Sequence, residues 1–313
     1  MAKPRLDMRL VELGLCESRQ QAQRLIRAGA VKVNQQVIDK PGTAIAPEAQ
    51  IEVKAKSPYV SRGGEKLARA LSYFPIAVRD RVCLDGGIST GGFTDCLLQA
   101  GAKRIYGVDV GYGQVAWTLR TDARVILKER TNIRHLKPEE LYGEGLAAQE
   151  LAGNELSSHH LASHGATLPD LGVMDVSFIS LAKVLPAFWH LLRSPREIVL
   201  LIKPQFEVGR NKIGKKGVVR DAQVQAEAIA QVIGAAQRLG WRYRGLTWSP
   251  LMGPAGNIEY LLWMSEASGL AIDPMPEVGG IEPDKLVLNQ LTQRARQALN
   301  TAPEEAGDRA PQR

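Results

Sequence analysis

The sequence predicts an α/β protein, in which a larger domain built on a mostly parallel sheet follows a small α+β unit. Three observations carry this prediction. After Pro58, short apolar segments alternate with helical segments, which indicates parallel strands joined by crossover helices. A glycine-rich segment, residues 85–93, follows the first of these strands. Before Pro58, two short helical patterns precede short strands instead.

Composition places the chain among compact proteins. It has 313 residues, of which 44% are hydrophobic and 23% charged, so disorder over the whole length and a disulfide-stabilised miniprotein are excluded. The longest aliphatic run, residues 198–202, is far shorter than the roughly 20 apolar residues that span a bilayer. The first residues do not resemble a signal peptide, and Cys16, Cys83 and Cys96 are widely spaced. We therefore expect a cytoplasmic protein with reduced cysteines.

The first part of the chain predicts a small basic unit. Apolar residues follow a helical spacing up to Gly14, and Ser18 is a typical N-cap for a second helix. Residues 30–33 and 51–53 then predict short strands. Residues 1–60 carry ten basic against six acidic side chains, an excess that suits a polyanionic partner. The candidate contacts are Arg5, Arg19, Arg24, Arg27 and Lys32.

Three motifs in this unit resemble the S4 RNA-binding domain. They are R-L-D at residues 5–7, S-R-Q-Q-A at residues 18–22 and I-R-A-G-A-V-K-V-N at residues 26–34. The resemblance implies that the helix pair and the following turn contact folded RNA through its phosphates and its shape. The alternative interpretation is a helical cap on the larger domain. We expect the S4-like domain and its linker to span residues 1–57.

Apolar segments of the larger domain predict the strands of its sheet. The strands are predicted at residues 81–85, 105–109, 125–127, 171–175 and 198–203, with helices at 94–99 and 181–192. A late apolar segment, residues 258–264, is expected to pair antiparallel at an edge. We expect this domain to span residues 58–265. A partly disordered tail, residues 266–313, should follow, with one helix at residues 284–299.

Residues 144–169 interrupt the alternation of strands and helices and predict an exposed insertion. They contain His159, His160 and His164, and histidine is a common metal ligand. No cysteine or pair of carboxylates accompanies these histidines at close spacing. We therefore predict no metal site in the protein.

The glycine-rich segment predicts a ligand site at one edge of the sheet. Glycines let the backbone bend sharply and approach a ligand, and ligands of open α/β sheets bind beyond the carboxyl ends of the strands. Asp109 ends the second predicted strand, where a carboxylate can accept hydrogen bonds from ribose hydroxyls. Asn132 follows the third strand, where it can face an adenine. The candidate cofactor residues are Asp85, Gly86, Gly87, Ser89, Thr90, Gly91, Gly92, Phe93, Asp109 and Asn132.

S-adenosylmethionine fits this segment better than a dinucleotide does. Neither G-x-x-x-x-G-K-[ST] nor G-x-G-x-x-G is present, so neither phosphate-binding loop is predicted. S-adenosylmethionine carries an adenosine and an amino acid but no phosphate, and it needs a permissive loop and an acid rather than a phosphate cradle. A NAD-dependent oxidoreductase stays an alternative on fold analogy. A helix-capping loop beside a surface aspartate is the structural alternative.

Four charged residues are predicted to lie near the same edge of the sheet. Asp175 and Lys203 end two successive predicted strands, Glu259 lies in the late strand, and Lys66 precedes the sheet. A lysine at the end of an apolar strand is costly unless it has partners or a chemical role. The four residues are consistent either with two structural ion pairs or with one catalytic site.

Six longer motifs are spread across the chain. They are Y-V-S-R-G-G-E-K-L at 59–67, D-G-G-I-S-T-G-G-F at 85–93, V-D-V-G-Y-G-Q at 108–114, D-V-S-F-I-S-L at 175–181, K-P-Q-F-E-V-G at 203–209 and G-N-I-E-Y at 256–260. These motifs resemble the TlyA family of bacterial ribosomal RNA 2′-O-methyltransferases. Its members, sometimes labelled hemolysins, carry an S4 domain before an FtsJ-like methyltransferase domain.

The resemblance implies a fold, a cofactor, a substrate and a catalytic site. The fold is a Rossmann-like domain that uses S-adenosylmethionine to methylate a ribose 2′-hydroxyl. The target is a cytidine in ribosomal RNA, in free RNA or in ribosomal subunits. The family's Lys-Asp-Lys-Glu tetrad maps onto Lys66, Asp175, Lys203 and Glu259.

The chemistry gives these side chains distinct roles. A ribose hydroxyl is a poor acid, and we expect Lys203 to act as its general base or to guide it, with the carboxylates orienting the lysines. RNA phosphates are expected on the small unit, on Arg62 and on a cationic loop, residues 209–220. The candidate contacts in the cationic loop are Arg210, Lys212, Lys215 and Lys216.

Two further classes of function stay open. One is a non-catalytic RNA-binding factor for ribosome assembly that keeps a relic methyltransferase domain, and the four intact tetrad residues argue against it. The other is a membrane-lytic protein, suggested by the hemolysin label. No spanning segment or strongly amphipathic cationic helix in the sequence supports that class. We expect neither a membrane partner nor an obligate protein partner.

Overall fold

The computed structural model describes residues 3–53, 57–143, 168–266 and 284–301. The chain divides into two compact units, Met1–Ser57 and Pro58–Arg313. Most of the expected insertion, including its three histidines, lies outside the described residues, and so do residues 267–283 and 302–313 of the expected tail.

The first unit pairs two helices with a three-stranded sheet. Its elements are α1 (Leu6–Glu12), α2 (Arg19–Arg27), β1 (Val31–Val33), β2 (Gln36–Val37) and β3 (Ile51–Val53). The antiparallel sheet has β1 at its centre. Ser18 caps α2, because its side chain accepts a hydrogen bond from the Gln21 amide. Leu6, Leu10 and Ile26 are completely buried between the helices and the sheet.

The second unit is an α/β domain around a seven-stranded sheet. Its strands are β4 (Val82–Gly86), β5 (Arg104–Val108), β6 (Val125–Lys128), β7 (Leu171–Met174), β8 (Glu197–Ile202), β9 (Arg242–Trp248) and β10 (Tyr260–Ser265). Their order across the sheet is β6-β5-β4-β7-β8-β10-β9. The strands from β6 to β8 are parallel, and β10 is antiparallel to both β8 and β9. This arrangement confirms the predicted fold class.

Helices cover both faces of this sheet. They are α3 (Arg62–Tyr73), α4 (Gly92–Gln99), α5 (Trp117–Arg120), α6 (Pro138–Tyr142), α7 (Leu185–Leu191), α8 (Pro204–Glu207), α9 (Ala222–Gln237) and α10 (Lys285–Thr301). Successive residues of a strand contribute to two separate cores, since side chains alternate between the faces of a sheet. In β8, Ile198, Leu200 and Ile202 pack in one core while Val199 and Leu201 pack in the other.

The structure corrects two predicted elements. The late strand is antiparallel as expected, but it is not at the edge, because β9, which the sequence did not indicate, pairs with its outer side. The helix predicted at residues 181–192 is divided into a short 3₁₀ turn, Leu181–Lys183, and α7. Pro186 lies at the start of α7, where the absence of an amide hydrogen costs nothing.

Candidate active site

Four parallel strands, β5, β4, β7 and β8, are neighbours in the sheet and end at one edge. The residue directly after each strand is one that the sequence singled out. These residues are Asp109 after β5, Gly87 after β4, Asp175 after β7 and Lys203 after β8. Their closeness follows from parallel pairing, which brings the carboxyl ends of all four strands together.

A cavity of about 330 Å³ opens at this edge of the sheet. Its volume lies at the lower end of the range for small-molecule sites. Four of the ten expected cofactor residues line it, namely Gly87, Ser89, Asp109 and Asn132. Asp175 also lines it, whereas no lysine or arginine stands among its lining residues in the described part of the chain.

Asp109 is fixed in the cavity wall by two backbone amides. Its Oδ2 accepts a hydrogen bond from the Ser89 amide at 2.7 Å, and its Oδ1 accepts one from the Gly111 amide at 2.7 Å. Each carboxylate oxygen keeps further acceptor capacity. Asp109 is therefore a preoriented acceptor for hydroxyl groups of a ligand.

Asn132 lines the same cavity from the turn after β6. Its Oδ1 accepts a hydrogen bond from the Arg134 amide at 3.1 Å and so caps the 3₁₀ turn Ile133–His135. Because the cap engages the oxygen, the side-chain NH₂ group is the part of Asn132 that is suited to contact a ligand.

The other six expected cofactor residues do not line the cavity, and most of them serve the packing of the loop. They are Asp85, Gly86, Thr90, Gly91, Gly92 and Phe93. Gly91 has a φ of +96°, and a Cβ there would lie 2.2 Å from Leu119. Phe93 is almost completely buried in the core beneath α4. Gly87, by contrast, lines the cavity, and a Cβ there would lie 2.5 Å from the Asp175 carbonyl oxygen.

Asp85 lies completely buried at the end of β4. Its Oδ2 accepts a hydrogen bond from Thr94 Oγ1 at 2.6 Å, while its Oδ1 has no hydrogen-bond partner among the described residues. Burial raises the pKa of this carboxyl from 3.8 to about 7. Asp85 thus connects β4 to α4 through Thr94 and does not line the cavity.

The four charged residues form two ion pairs, which we call the sheet-edge cluster (Lys66, Asp175, Lys203 and Glu259). Lys66 Nζ lies 2.5 Å from Glu259 Oε2, and Lys203 Nζ lies 2.6 Å from Asp175 Oδ1. The second contact is an ion pair only, because no hydrogen bond of acceptable geometry reaches Asp175 Oδ1 in the described structure. Lys203 instead donates a hydrogen bond to Ser177 Oγ at 2.9 Å.

Strand register brings the two pairs next to each other. Tyr260 of β10 pairs with Ile202 of β8 in antiparallel register. Continued by one residue beyond the paired strands, this register would bring Glu259 next to Lys203. Lys66 reaches Glu259 from α3, which packs against β10 through Leu67. Asp175 and Ser177 line the cavity, so the cluster adjoins it.

Two family models match the chain. An FtsJ-like methyltransferase model matches residues 59–266, and an S4 domain model matches residues 4–51. The chain is also 44% identical over 272 residues to the 16S/23S rRNA (cytidine-2′-O)-methyltransferase TlyA of Mycobacterium tuberculosis, over 86% of this chain and 92% of that protein.

The chain belongs to the TlyA family of FtsJ-like methyltransferases.

Other relatives carry a different label. Hemolysin A of Brachyspira hyodysenteriae is 38% identical over 257 residues, which cover 82% of this chain and 98% of that protein. A solved hemolysin structure from Streptococcus thermophilus has a TM-score of 0.65 and 35% identity, over 96% of this chain and 98% of that chain. Both domain resemblances noted in the sequence are therefore confirmed. Among the described residues of this TlyA-family chain, no helix is long and apolar enough to span a membrane.

Two residues beside the cluster escaped the sequence analysis as site residues, although they lie in one of its motifs. Ser177 bonds Lys203, and Phe178 lines the cavity with 90% of its side chain exposed. Phe178 has a φ of +65°, a conformation that bulky residues rarely adopt. Its ring lies 5.2 Å from the Phe206 ring. In the sequence, an aromatic residue shortly after an apolar strand is the signal that could have identified Phe178 as a site residue.

In the S4 unit of the TlyA-family chain, two of the expected RNA contacts converge on a buried carboxylate. We call Asp7, Arg5, Arg19 and Gln23 the Asp7 cluster. Asp7 is completely buried, and it accepts hydrogen bonds from Arg5 Nε at 3.0 Å, from Arg19 Nε at 3.0 Å and from Gln23 Nε2 at 2.9 Å. The hydrogen bond from Arg5, the largest influence, holds the pKa of Asp7 well below its usual range. Both arginines remain about half exposed.

The other expected RNA contacts lie at the surface. Arg24 and Arg27 are exposed on α2, where a spacing of three residues sets them on one face, and Lys32 is half-buried on β1. The cationic loop exposes Arg210, Lys212, Lys215 and Lys216, of which Lys212 pairs with Glu227 of α9. Arg62 at the start of α3 is exposed and donates to the Met252 carbonyl at 3.0 Å.

Proposed function

We propose that this protein transfers a methyl group from S-adenosylmethionine to a ribose 2′-hydroxyl, that of a cytidine in ribosomal RNA. The observation that carries the proposal is the position of the sheet-edge cluster. Two lysine–carboxylate pairs adjoin a nucleoside-sized cavity, whose lining includes Asp109. Such a site places the lysine that is assigned to the hydroxyl proton beside the cavity that is assigned to the methyl donor.

The cavity fits S-adenosylmethionine in its chemistry. Asp109 is oriented to accept hydrogen bonds from ribose hydroxyls, and Asn132 offers donors beside it. The carboxylates of Asp109 and Asp175 suit a ligand that carries a sulfonium and an ammonium group. Since no lysine or arginine is found in the described lining, the cavity lacks the cations that a diphosphate attracts. The absence of G-x-G-x-x-G from the sequence argues against the NAD-dependent alternative.

S-adenosylmethionine, when bound, supplies a methyl group that a nucleophile can attack. In its neutral amine form Lys203 is assigned to take up the proton of the 2′-hydroxyl, whereas as the ammonium of the ion pair it can only orient that hydroxyl. Asp175 and Ser177 hold the lysine by the contacts at 2.6 and 2.9 Å. Lys66 and Glu259 pair with each other, so neither buried charge is left without a partner.

Phe178 is assigned to hold the target base. Its exposed ring, supported by Phe206, offers the kind of platform on which a base stacks without sequence preference. A nucleotide in a folded RNA must leave its helix to reach this site, and a stacking partner offsets the loss of its neighbours. The strained backbone of Phe178 fits this role, because such strain concentrates at functional sites.

The RNA class comes from the relatives and from the cationic surfaces. The Mycobacterium tuberculosis relative is named for 16S and 23S ribosomal RNA, whereas a Campylobacter jejuni relative, 36% identical over 206 residues, is named for 23S ribosomal RNA. The S4 unit and the cationic loop supply arginines and lysines for phosphates. A ribosomal substrate would also locate the enzyme in the cytoplasm.

The test is methyl transfer to isolated ribosomal subunits. Small and large subunits from cells that lack this gene are incubated with the protein and tritiated S-adenosylmethionine, and 2′-O-methyl groups are mapped in both RNAs. We expect label on a cytidine ribose in at least one subunit and none with the Lys203→Ala variant. Label on a base, or absence of label from both subunits and from free ribosomal RNA, would overturn the proposal.

The hemolysin label of the Brachyspira relative defines a separate outcome. Dye release from liposomes of anionic and neutral lipids, with the same purified protein, measures lytic activity directly. Release that persists in the Lys203→Ala variant would establish a lytic function independent of the sheet-edge cluster. RNA binding without methyl transfer, by contrast, would favour the non-catalytic assembly factor.

A further inference from the structure

A buried asparagine from the segment that contains Glu259 binds the end of the cationic loop. Asn257 is only 1% exposed and lies two residues before Glu259. Its Oδ1 accepts a hydrogen bond from the Val219 amide at 2.9 Å, and its Nδ2 donates to the Gly217 carbonyl at 2.9 Å. Both ends of this side chain are therefore engaged by the backbone of the loop.

A second buried amide ties the same part of the loop to the other side of Glu259. Gln225 of α9 donates to the Val219 carbonyl at 2.7 Å and accepts a hydrogen bond from the Tyr260 hydroxyl at 2.6 Å. Asn257 and Tyr260 flank Glu259 in the sequence, so the loop is connected to the chain before and after this carboxylate. Buried polar networks that are fully satisfied make such connections rigid.

The start of the cationic loop is anchored near the second ion pair of the sheet-edge cluster, Asp175 and Lys203. Lys203 leads directly into α8, and the loop begins after this single turn. Glu207, the last residue of α8, accepts hydrogen bonds from Ser180 Oγ at 2.6 Å and from the Leu181 amide at 2.9 Å. The loop thus runs from the segment of Lys203 to the segment of Glu259.

We propose that Asn257 is a positioning residue that holds the cationic loop in a fixed relation to the Lys66–Glu259 pair. RNA phosphates bound by the loop then bring the ribose hydroxyl into line with Lys203, which directly follows β8, the partner strand of β10. This inference rests on the proposed function, because it concerns the same RNA and the same reaction. Asn257 itself contacts the loop backbone and not the reacting groups.

A merely structural role for Asn257 makes a different prediction. Loss of a buried hydrogen-bonding amide would lower the stability of the whole unit and leave the kinetics of the folded molecules unchanged. Positioning predicts instead a change in kinetic constants at a temperature where the variant is fully folded. It also predicts that binding of S-adenosylmethionine is spared, since Asn257 does not line the cavity.

The experiment compares Asn257→Ala and Asn257→Ser with the control Thr292→Val. Thr292 is a buried side chain of α10 that donates to the Ala222 carbonyl at 3.1 Å, just beyond the loop, and among the described residues it makes no hydrogen bond to residues 256–260. Methyl transfer to ribosomal RNA gives KM and kcat, calorimetry gives the Kd of S-adenosylmethionine, and hydrogen exchange reports the Val219 amide.

We expect Asn257→Ala to raise KM for RNA and to lower kcat, each by about tenfold or more. The Kd of S-adenosylmethionine should stay unchanged, and exchange of the Val219 amide should accelerate. Asn257→Ser keeps a neutral hydrogen-bonding group without adding a buried charge, but it is too short to reach both Val219 and Gly217, so its effects should be intermediate. Thr292→Val should match the wild type in all four quantities.

Two results would overturn the inference. One is wild-type kinetics in Asn257→Ala despite faster exchange at Val219. The other is an equal kinetic loss in Thr292→Val. If Asn257→Ala does not fold, Asn257→Ser decides by the same measurements. If the wild-type protein methylates no RNA, the proposed function is wrong. The affinity of the Asn257 variants for RNA and the hydrogen exchange of their Val219 amide still test whether Asn257 positions the loop.

Discussion

The two units of the molecule use buried carboxylates in opposite ways. In the first unit, Asp7 is completely buried and both of its arginines remain about half exposed. In the second unit, Lys66 and Lys203 are themselves only about 10% exposed. Asp85, as deeply buried as Asp7, is bonded by a threonine hydroxyl.

The difference teaches that the partners of a buried acid and the depth to which the protein surrounds it together decide its protonation. Guanidinium groups lower the pKa of Asp7, and desolvation raises the pKa of Asp85 to about 7. The Asp7 cluster holds cations outward, where they can meet a polyanion. The sheet-edge cluster keeps its cations out of water, where a proton transfer is shielded from solvent. Breaking each arrangement should therefore have different consequences.

The largest expected effect follows from removing a buried cation beside the cavity. Lys203→Ala should lower kcat/KM for methyl transfer by about 10³-fold, because it removes the group assigned to the hydroxyl proton. The Kd of S-adenosylmethionine, measured by calorimetry, should change little. Lys183→Ala, at an exposed lysine of the 3₁₀ turn, is the matched control. Substantial activity in the folded Lys203→Ala variant would contradict the assignment.

Breaking the deeper ion pair should chiefly affect stability. Glu259→Gln leaves Lys66 buried without its partner, which costs about 3–5 kcal/mol in the free energy of unfolding. Urea denaturation of the variant measures this loss. The double variant Lys66→Met with Glu259→Leu removes both charges, and it should recover much of the stability while staying inactive. A double variant as unstable as the sum of the single ones would refute this account.

Asp85 should make stability fall as the pH rises. Its folded pKa of about 7 lies above the ordinary 3.8, so between these values the unfolded chain releases the proton and the folded chain keeps it. The free energy of unfolding should therefore decline from about pH 4 to about pH 7, by at most about 4 kcal/mol, and then level off. Asp85→Asn should abolish this decline in urea titrations across that range.

Asp7 should contribute to the pH dependence of the free energy of unfolding with the opposite sign. Its lowered pKa stabilises the fold above the ordinary pKa of an aspartate, and this contribution is lost as the pH falls through the folded value. A pH series on Asp7→Asn separates the two carboxyls, because only the Asp85 decline should remain between about pH 4 and 7. A decline that vanished in Asp7→Asn would show that the wrong residue was assigned.

The smallest expected effect lies in RNA affinity. Asp7→Asn frees Arg5 and Arg19 from their shared acceptor, and binding of ribosomal RNA should weaken by about tenfold. Glu12→Gln removes the same charge from an exposed position of α1 without touching these arginines, and it should bind no more weakly than the wild type. Filter binding at two salt concentrations compares them. Tighter binding by Asp7→Asn would mean that net charge outweighs orientation.

Much of the fold and part of the site could be predicted from the sequence. Continuous apolar segments gave the five parallel strands to within two residues at either end, because burial on both faces leaves a local signature. Residues at the ends of those strands were natural candidates for a site. Strand β9 left no such signature, since Arg242 and Arg244 break its apolar pattern. Its presence turned the expected edge strand β10 into an interior one.

The sequence by itself determined which residue types stand at the ends of the parallel strands, since residue order and strand periodicity are local properties. Only the tertiary structure decided their partners. Lys66 pairs with a carboxylate 193 residues away, and Asn257 binds a loop about 40 residues before it. Periodicity reports which face of an element is buried, but long-range pairing depends on how all elements pack together. The exposure of Phe178 was decided at that same level.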